Sequence, residues 1–155
     1  MIVVSDTTAV TTLLKAGMVG LLSELFGSVT IPRAVEEELL AFHPHLPNHI
    51  LLRPVALADR LLPQTTSLGR GEAETITLAK EINADLLLTD DLKARSIAAG
   101  LNIKCTGLLG LLIRAKQRGL IASVRDAIGR LEVRGGLYLS DAVKMEALRL
   151  AGEME

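Results

Sequence analysis

Short acidic segments recur along this chain, and at least two of them directly follow an apolar run that is typical of a β-strand. The carboxylates in these segments are Asp6, Glu38, Glu72, Glu74, Asp90 and Asp91. Asp6 follows the strand-like residues 2–5, and Asp90 and Asp91 follow the strand-like residues 86–89. Because the carboxyl ends of parallel strands share one edge of a sheet, where ligand crevices form, we expect acids from distant positions to converge there.

Converging carboxylates have a recognisable chemistry. They repel one another and raise each other's pKa unless a cation neutralises them. Hard divalent ions such as Mg²⁺ and Mn²⁺ favour oxygen ligands of this kind. The pattern therefore predicts a metal-dependent acidic site on a small α/β scaffold.

Helix capping is the simpler explanation for some of these acids. An Asp that precedes a helix commonly accepts a hydrogen bond from a first-turn amide, and Asp6 stands in that position. Asp90 or Asp91 could cap the next predicted helix in the same way. Two acids after one buried strand, matched by a third after another strand, favour a cation over capping alone.

The glutamates are less specific. Glu38 ends a run of three glutamates, which is typical of a solvated helix face, although its neighbours Leu39 and Leu40 mark the buried side. Glu72 and Glu74 lie about 200° apart on a helix, so they are not expected to reach one site together. Glu72 borders an apolar stripe and suits the first helical turn, whereas Glu74 could be at the surface. The spacing leaves both open.

Composition restricts the fold and the partners. The chain has 155 residues, 49% of them apolar, with one Tyr, two Phe and no Trp. A core of Leu, Ile, Val and Ala is typical of a parallel sheet covered on both faces. The shortage of aromatic residues argues against recognition by base stacking. A net charge of −1 gives no overall basic field, so any nucleic acid would be contacted mostly through its backbone by local groups.

Other residue types give little indication of a site. Cys105 is the sole cysteine, which excludes an internal disulfide and a cysteine-based zinc site, and we expect it in the core. No secretory signal and no apolar run of ~18 residues are visible, so we expect a cytoplasmic protein without a membrane span. His43, His45 and His49 are expected in a surface loop. Three basic residues could contact phosphates or simply be solvated: Arg70, Lys93 and Arg95. Four others are expected at the surface: Lys116, Arg118, Arg125 and Arg130.

Strand-like and helix-like segments alternate. Strands are predicted over residues 2–5, 29–31, 51–55, 85–89 and 102–105, the third at an edge because Pro54 excludes a central position. Helices are predicted over residues 7–25 (interrupted near Gly17 and Gly20), 32–40, 72–82, 91–99, 108–116, 124–131 and 139–150. The alternation predicts a single domain over residues 1–155, with a parallel sheet and helices on both faces.

The order of the acids, together with several short motifs, resembles the PIN-domain family, and particularly its VapC-like prokaryotic branch. The motifs are Ser5-Asp6-Thr7-Thr8, Gly71-Glu72-Ala73-Glu74, Asp90-Asp91-Leu92-Lys93-Ala94-Arg95 and Gly110-Leu111-Leu112-Ile113-Arg114-Ala115-Lys116. Gly119-Leu120-Ile121 and Ala151-Gly152-Glu153 are also similar to that branch. The resemblance covers nearly the whole chain.

The resemblance implies a three-layer α/β/α fold with about five parallel strands. It implies a ribonuclease that depends on Mg²⁺ or Mn²⁺, often the toxin of a VapBC-type pair with a cognate antitoxin, and a homodimer. By motif position, Asp6 is the first catalytic acid and Glu38 the second, and Glu72 or Glu74 is the third. Thr89-x-Asp91 favours Asp91 as the fourth, with Asp90 beside it. Asp6 and Asp91 are the expected metal ligands.

Three other functions remain to be weighed. One is a PIN-like binding or regulatory module that holds a metal but barely cuts. A phosphoaspartate receiver would need an acidic pair after the first strand, where only Asp6 stands. A HAD-type phosphatase would need a second acid in Asp6-Thr7-Thr8. Apolar content in residues 108–113 and 139–150 predicts a homodimer.

Overall fold

Five short parallel strands form one central sheet, and helices connect them on both faces. The computed structural model describes residues 1–56 and 61–154. The strands are β1 (Val3–Ser5), β2 (Val29–Ile31), β3 (Ile50–Leu52), β4 (Leu86–Leu88) and β5 (Cys105–Thr106). Their order is β3-β2-β1-β4-β5, and each neighbouring pair runs parallel. The strand order therefore reverses between β1 and β4, which is the point where open α/β sheets form a crevice.

Helices account for most of the remaining described chain. The α-helices are α1 (Thr7–Ala16), α2 (Gly20–Phe26), α3 (Arg33–Leu40), α4 (Arg70–Glu81), α5 (Leu92–Gly100), α6 (Leu108–Gln117), α7 (Val124–Val133) and α8 (Asp141–Leu150). A short 3₁₀ helix covers Pro63–Thr65. The break between α1 and α2 follows Gly17, whose φ of 69° suits the left-handed end of a helix.

The two faces of the sheet bury two separate hydrophobic cores. Val3, Leu86 and Leu88 pack into the larger one with residues of α1, α2, α6 and α7. Val4 and Leu87 point the opposite way, into a second core with α4 and α5. Because every residue of β4 is buried, its sequence is continuously apolar rather than alternating. The predicted three-layer α/β/α architecture with five parallel strands is confirmed.

Several predicted boundaries were wrong by a few residues. The third strand is at the edge, as predicted, but it ends at Leu52, before Pro54. The fifth strand begins at Cys105 rather than Asn102, because Asn102 has a φ of 61° in the turn after α5. Helix α4 begins at Arg70, two residues earlier than the acidic motif alone indicated.

Residues that follow α8 form hydrogen bonds with α6 and α7. Glu153 accepts hydrogen bonds from Lys116 Nζ (3.0 Å), from Ser123 Oγ (3.2 Å) and from the first amides of α7, Val124 N at 2.6 Å and Arg125 N at 3.1 Å. These contacts outweigh the burial that would raise the pKa of Glu153, and lower that pKa to about 2. The surface position expected for Lys116 was therefore wrong, because its ammonium group also contacts Ala151 O.

Two arginines expected at the surface have structural contacts as well. Arg118 Nη1 donates to Leu25 O at the end of α2 (2.8 Å), and Arg130 Nη2 donates to Ala16 O at the end of α1 (3.1 Å). Cations at the carboxyl ends of helices neutralise carbonyl groups that have no partner within the helix. The expectation of solvated side chains missed these partners because they lie far away in sequence.

No single helix in the described ranges is long and apolar enough to cross a membrane. Helices α1 and α2 have the length and apolar composition of a membrane span only when they are taken together, and their axes are bent by 117° relative to each other.

Candidate active site

Three of the predicted acids, Asp6, Asp90 and Asp91, lie at the carboxyl ends of the neighbouring strands β1 and β4. Ser5 pairs with Leu88, so Asp6 and Thr89 are the next residues out of β1 and β4. The amide of Asp6 donates to Leu88 O at 3.1 Å, which fixes the two chain segments beside each other. The reversal of strand order therefore brings together side chains that are more than 80 residues apart.

Asp6 is both a helix cap and a buried acid. Its Oδ1 accepts a hydrogen bond from Ala9 N at 3.0 Å, at the start of α1, and only 5% of the residue is exposed. Burial raises the pKa of Asp6 to about 6, because water no longer solvates its charge. Hydrogen bonds from Ala9 N and from the Thr89 side chain oppose that increase, and the negative charges of Asp90 and Glu72 add to it.

Asp90 and Asp91 have different surroundings. Asp90 Oδ2 accepts from Leu108 N, at the start of α6, at 3.1 Å. A Cβ atom on Gly107 would overlap the Asp90 carboxylate, so a glycine is needed there. Asp91 caps α5 through Ala94 N at 2.8 Å. The sequence motif favoured Asp91, but Asp90 is the acid whose charge raises the pKa of Asp6.

Glu38 reaches the site from α3. Its Oε2 accepts a 2.7 Å hydrogen bond from Thr7 Oγ1, the residue that follows Asp6. Its Oε1 lies over Gly71 in the first turn of α4, where a Cβ atom would come within 2.6 Å of it. Glu38 is exposed to solvent, unlike Asp6. It therefore stands at the open side of the site, between α1 and α4.

The structure separates the roles of Glu72 and Glu74. Glu74 is only 2% exposed, which excludes the surface position that the spacing had left open. Its Oε1 accepts from Ala34 N in the first turn of α3 (3.1 Å), and its Oε2 accepts from Arg70 Nε (2.9 Å). Both oxygens of Glu74 therefore link α3 to α4. Glu72 is half-buried, and its charge acts on Asp6, which makes it the glutamate that belongs to the acidic site.

The donor set fits a hard divalent cation by its chemistry. Every candidate ligand is a carboxylate oxygen, and the buried Asp6 has a pKa that a nearby positive charge would lower. In residues 1–56 and 61–154, no three His, Cys, Asp or Glu side chains are already gathered tightly enough to hold a metal ion. Metal binding would therefore require side-chain rotation, for example of Asp90 away from the amide of Leu108.

The nearby basic residues also differ. Arg70 pairs with Glu74 and, at 3.6 Å, with Glu37. Lys93 Nζ donates to Ser67 O at 3.3 Å. Arg95 is the basic residue beside the acids, since its Nη1 would lie 3.2 Å from a Cβ atom on Gly107.

The three histidines lie in the loop before β3. Within the described residues, they are not part of any group of three potential metal ligands. His49 Nε2 contacts Val19 O at 3.2 Å. His43 Nε2 is buried without a hydrogen-bond partner among the described residues. The expected surface loop thus includes two partly buried rings.

Sequence reasoning overlooked the residues that hold the acids in place. Gly71 and Gly107 allow Glu38 and Asp90 to pass closely over helix starts. The hydroxyl of Thr89 contacts both Asp6 and the amide of Asp91. A glycine directly before or inside the first turn of a predicted helix is the signal that could have identified the first two.

Comparison with known proteins agrees with this geometry. The sequence profile of a PIN-domain family, designated DUF3368, matches residues 2–153. The chain therefore belongs to the PIN-domain family, whose members are generally nucleases. No protein of curated function has significant sequence similarity to it.

A solved structure has a related fold. It is a PilT N-terminus domain protein from the hyperthermophilic archaeon Sulfolobus solfataricus P2, with a TM-score of 0.56 and 20% sequence identity. The alignment covers 72% of this chain and 90% of that protein. At this level of identity the likeness supports the fold, which is a PIN-like α/β sheet.

Proposed function

We propose that this protein is a ribonuclease that depends on Mg²⁺ or Mn²⁺ and acts as the toxin of a VapBC-type pair. One observation carries the nuclease part: Asp6, with its pKa raised to about 6, is electrostatically coupled to Glu72 and Asp90 in a PIN-domain fold. Carboxylates held in this way favour a bound cation. The toxin role rests on the resemblance to the VapC-like branch.

The acids divide into two groups in this mechanism. Asp6 and Asp90, with Asp91 or Glu72 completing the set, are the residues that would hold the cation. A divalent ion bound there neutralises charge on a phosphodiester and lowers the pKa of a bound water. Glu38, on the open side and held by Thr7, orients the attacking water and accepts its proton at a carboxylate oxygen. Glu74 stays outside the chemistry and fixes α3 against α4.

The test is cleavage of a mixed-sequence RNA by the purified protein with Mg²⁺, with Mn²⁺ and with EDTA. Asp6→Asn is the informative variant, and Asp126→Asn, an exposed acid in the first turn of α7, is its matched control. We expect cleavage that needs metal and Asp6 but not Asp126. Cleavage that persists in EDTA, or in the Asp6 variant, contradicts the proposal.

A metal-binding regulatory module is the second candidate. It is favoured by the net charge of −1, which gives no overall basic field to hold RNA. Calorimetric titration with Mn²⁺ separates the two. Binding that is abolished by Asp6→Asn, without cleavage of any RNA, would favour the regulatory module.

We also propose a homodimer. Apolar side chains line a groove of about 550 Å³ beside Asp90, formed mainly by α6 and α8; Leu92, Val143 and Leu150 are exposed, and Ile113 is half-buried. Burial of such a patch against a second copy is favourable. Light scattering should give a mass of two chains, and Val143→Asp should shift it to one. A single-chain mass for the unaltered protein at all concentrations contradicts the dimer.

A further inference from the structure

A second groove begins at the candidate site and continues along α1. We define it as the α1 groove, with a volume of about 790 Å³. Thr7 and Glu38, which are joined by the 2.7 Å hydrogen bond, form the end at the site. Beyond them, its walls include Thr8, Thr11, Lys15, Phe42, His43 and Gly136. A chain bound at the acids can therefore continue into this groove without leaving the surface.

The charge along the α1 groove changes sign. Its acidic residue, Glu38, lies at the site, whereas Lys15 lies in the last turn of α1. Lys15 is exposed, and none of the ion pairs in the described ranges includes it. Eight residues of helix separate Thr7 from Lys15, which is about 12 Å along the axis. That length exceeds the spacing of neighbouring phosphates on one strand, so Lys15 can reach a phosphate beyond the first neighbour of the one at the acids.

The α1 groove also includes an aromatic residue that suits a base. Phe42 follows α3 and is 83% exposed, so the hydrophobic cores do not account for its position. An exposed aromatic face stacks on an unpaired base of any sequence. Thr8, which is exposed, and Thr11, which is half-buried, add hydroxyl groups to the groove lining.

We propose that the α1 groove binds the nucleotides next to the scissile phosphate, with Lys15 on one of their phosphates and Phe42 stacked on one of their bases. The groove then selects single-stranded RNA, because a base inside a duplex has no free face for Phe42. This inference rests on the proposed ribonuclease function. Phe42 is the aromatic residue among those that line the groove, so it supplies one stacking contact in a chain with few aromatic residues.

Binding in EDTA measures the groove apart from cleavage. The probe is a fluorescently labelled ten-nucleotide single-stranded RNA, and the variants are Lys15→Ala and Phe42→Ala. Lys104→Ala is the matched control for the loss of a cation. Lys104 is exposed, directly precedes the edge strand β5 and is outside the groove lining. Tyr138→Ala is the control for the aromatic ring, since Tyr138 is 92% exposed and outside the groove lining.

We expect each groove variant to bind the RNA about five- to tenfold more weakly, and each control to bind as the unaltered protein does. Lys15→Ala should also reduce the slope of log K against log salt by about 0.7, the value for one phosphate of a single strand. Phe42→Ala should leave that slope unchanged. A duplex of the same sequence should bind equally to the unaltered protein and to Phe42→Ala.

The outcomes distinguish this inference from the proposed function. If both groove variants bind RNA more weakly but the unaltered protein cuts no RNA, the inference about the groove is supported and the proposed nuclease activity is rejected. If Lys15→Ala, Phe42→Ala and their controls all cleave RNA with the same KM, the proposed nuclease activity is supported and the inference about the groove is rejected. Absence of RNA binding by the unaltered protein, with and without Mn²⁺, overturns the groove as well, and the surface would then suit a partner protein.

Discussion

Thr7 Oγ1 donates a 2.7 Å hydrogen bond to Glu38 Oε2, and this contact joins the first residue of α1 to the last turn of α3. Glu38 is exposed and has no hydrogen bond from another side chain in the described residues. The orientation of this candidate catalytic acid therefore depends on one hydroxyl group. Partners that orient ligands and acids in this way typically contribute as much to activity as the groups they hold.

Thr7→Val should lower the rate of RNA cleavage by about tenfold, because the carboxylate of Glu38 loses its fixed orientation. The free energy of unfolding should change by less than about 0.5 kcal/mol, since the contact is near solvent. Thr7→Ser retains the hydroxyl and should restore cleavage. Equal rates for the valine variant and the unaltered protein would show that Glu38 needs no such support.

Asp6→Asn should stabilise the metal-free protein at neutral pH. The pKa of Asp6 is about 6 in the folded state and 3.8 in the reference state, so the folded protein binds this proton more tightly. Stability is then lost as the pH increases from about 4 to about 6, by up to about 3 kcal/mol for the full shift. Removal of the charge should recover about 1–2 kcal/mol at pH 7.5 and almost nothing at pH 3.5.

Thermal unfolding at both pH values, in EDTA and in Mn²⁺, measures this effect. Mn²⁺ should raise the melting temperature of the unaltered protein and leave that of Asp6→Asn unchanged, because the cation binds only the ionised site. A lower melting temperature for Asp6→Asn at pH 7.5 in EDTA contradicts the prediction.

Glu72 and Glu74, two residues apart on α4, should give opposite results. Glu74→Ala should lower the free energy of unfolding by about 2–4 kcal/mol, because Ala34 N and the charge of Arg70 lose their partner. Glu72→Gln should leave stability within about 0.5 kcal/mol and abolish cleavage. Urea unfolding and RNA cleavage on both variants make the comparison. If Glu74→Ala were stable but inactive, Glu74 rather than Glu72 would be the glutamate of the acidic site.

Glu153→Gln should remove an acid-sensitive part of the stability. The pKa of Glu153 is about 2 in the folded state and 4.5 in the reference state. Its contribution is therefore complete above about pH 4.5 and is lost as the pH decreases toward 2. The unaltered protein should be more stable than Glu153→Gln at pH 7, and the difference should disappear near pH 2. Urea midpoints across that range test it, with Glu24→Gln, an acid on α2 outside the ion pairs of the described chain, as control.

The sequence predicted the sheet well because its strands are unambiguous. Residues 2–5 and 86–88 are apolar and flanked by acids or turn residues, and such runs form buried parallel strands wherever helices cover both faces. Asn102 shows where prediction from the sequence fails. Its left-handed conformation in the turn after α5 moved the last strand by three residues, and an asparagine alone does not reveal that conformation.

The acids were predicted as a group but not by individual role. Helical spacing placed Glu72 and Glu74 on different faces, but which face lies against α3 depends on Ala34, 40 residues away. The choice between Asp90 and Asp91 likewise depends on the start of α6, since Leu108 N and Gly107 determine where the carboxylate of Asp90 lies. Contacts over such distances in sequence have no local pattern.

The central position of β1 has a consequence for the order of folding. Its two neighbours are β2 and β4, and β4 begins more than 80 residues after β1, so the pairing that completes the sheet has a long loop-closure distance. A nascent chain synthesised only through β3 contains Asp6 and Glu38 but neither Glu72 nor Asp90. The acidic site is therefore complete only after β4 has joined the sheet, so its chemistry cannot begin on a chain that is still being synthesised at that stage.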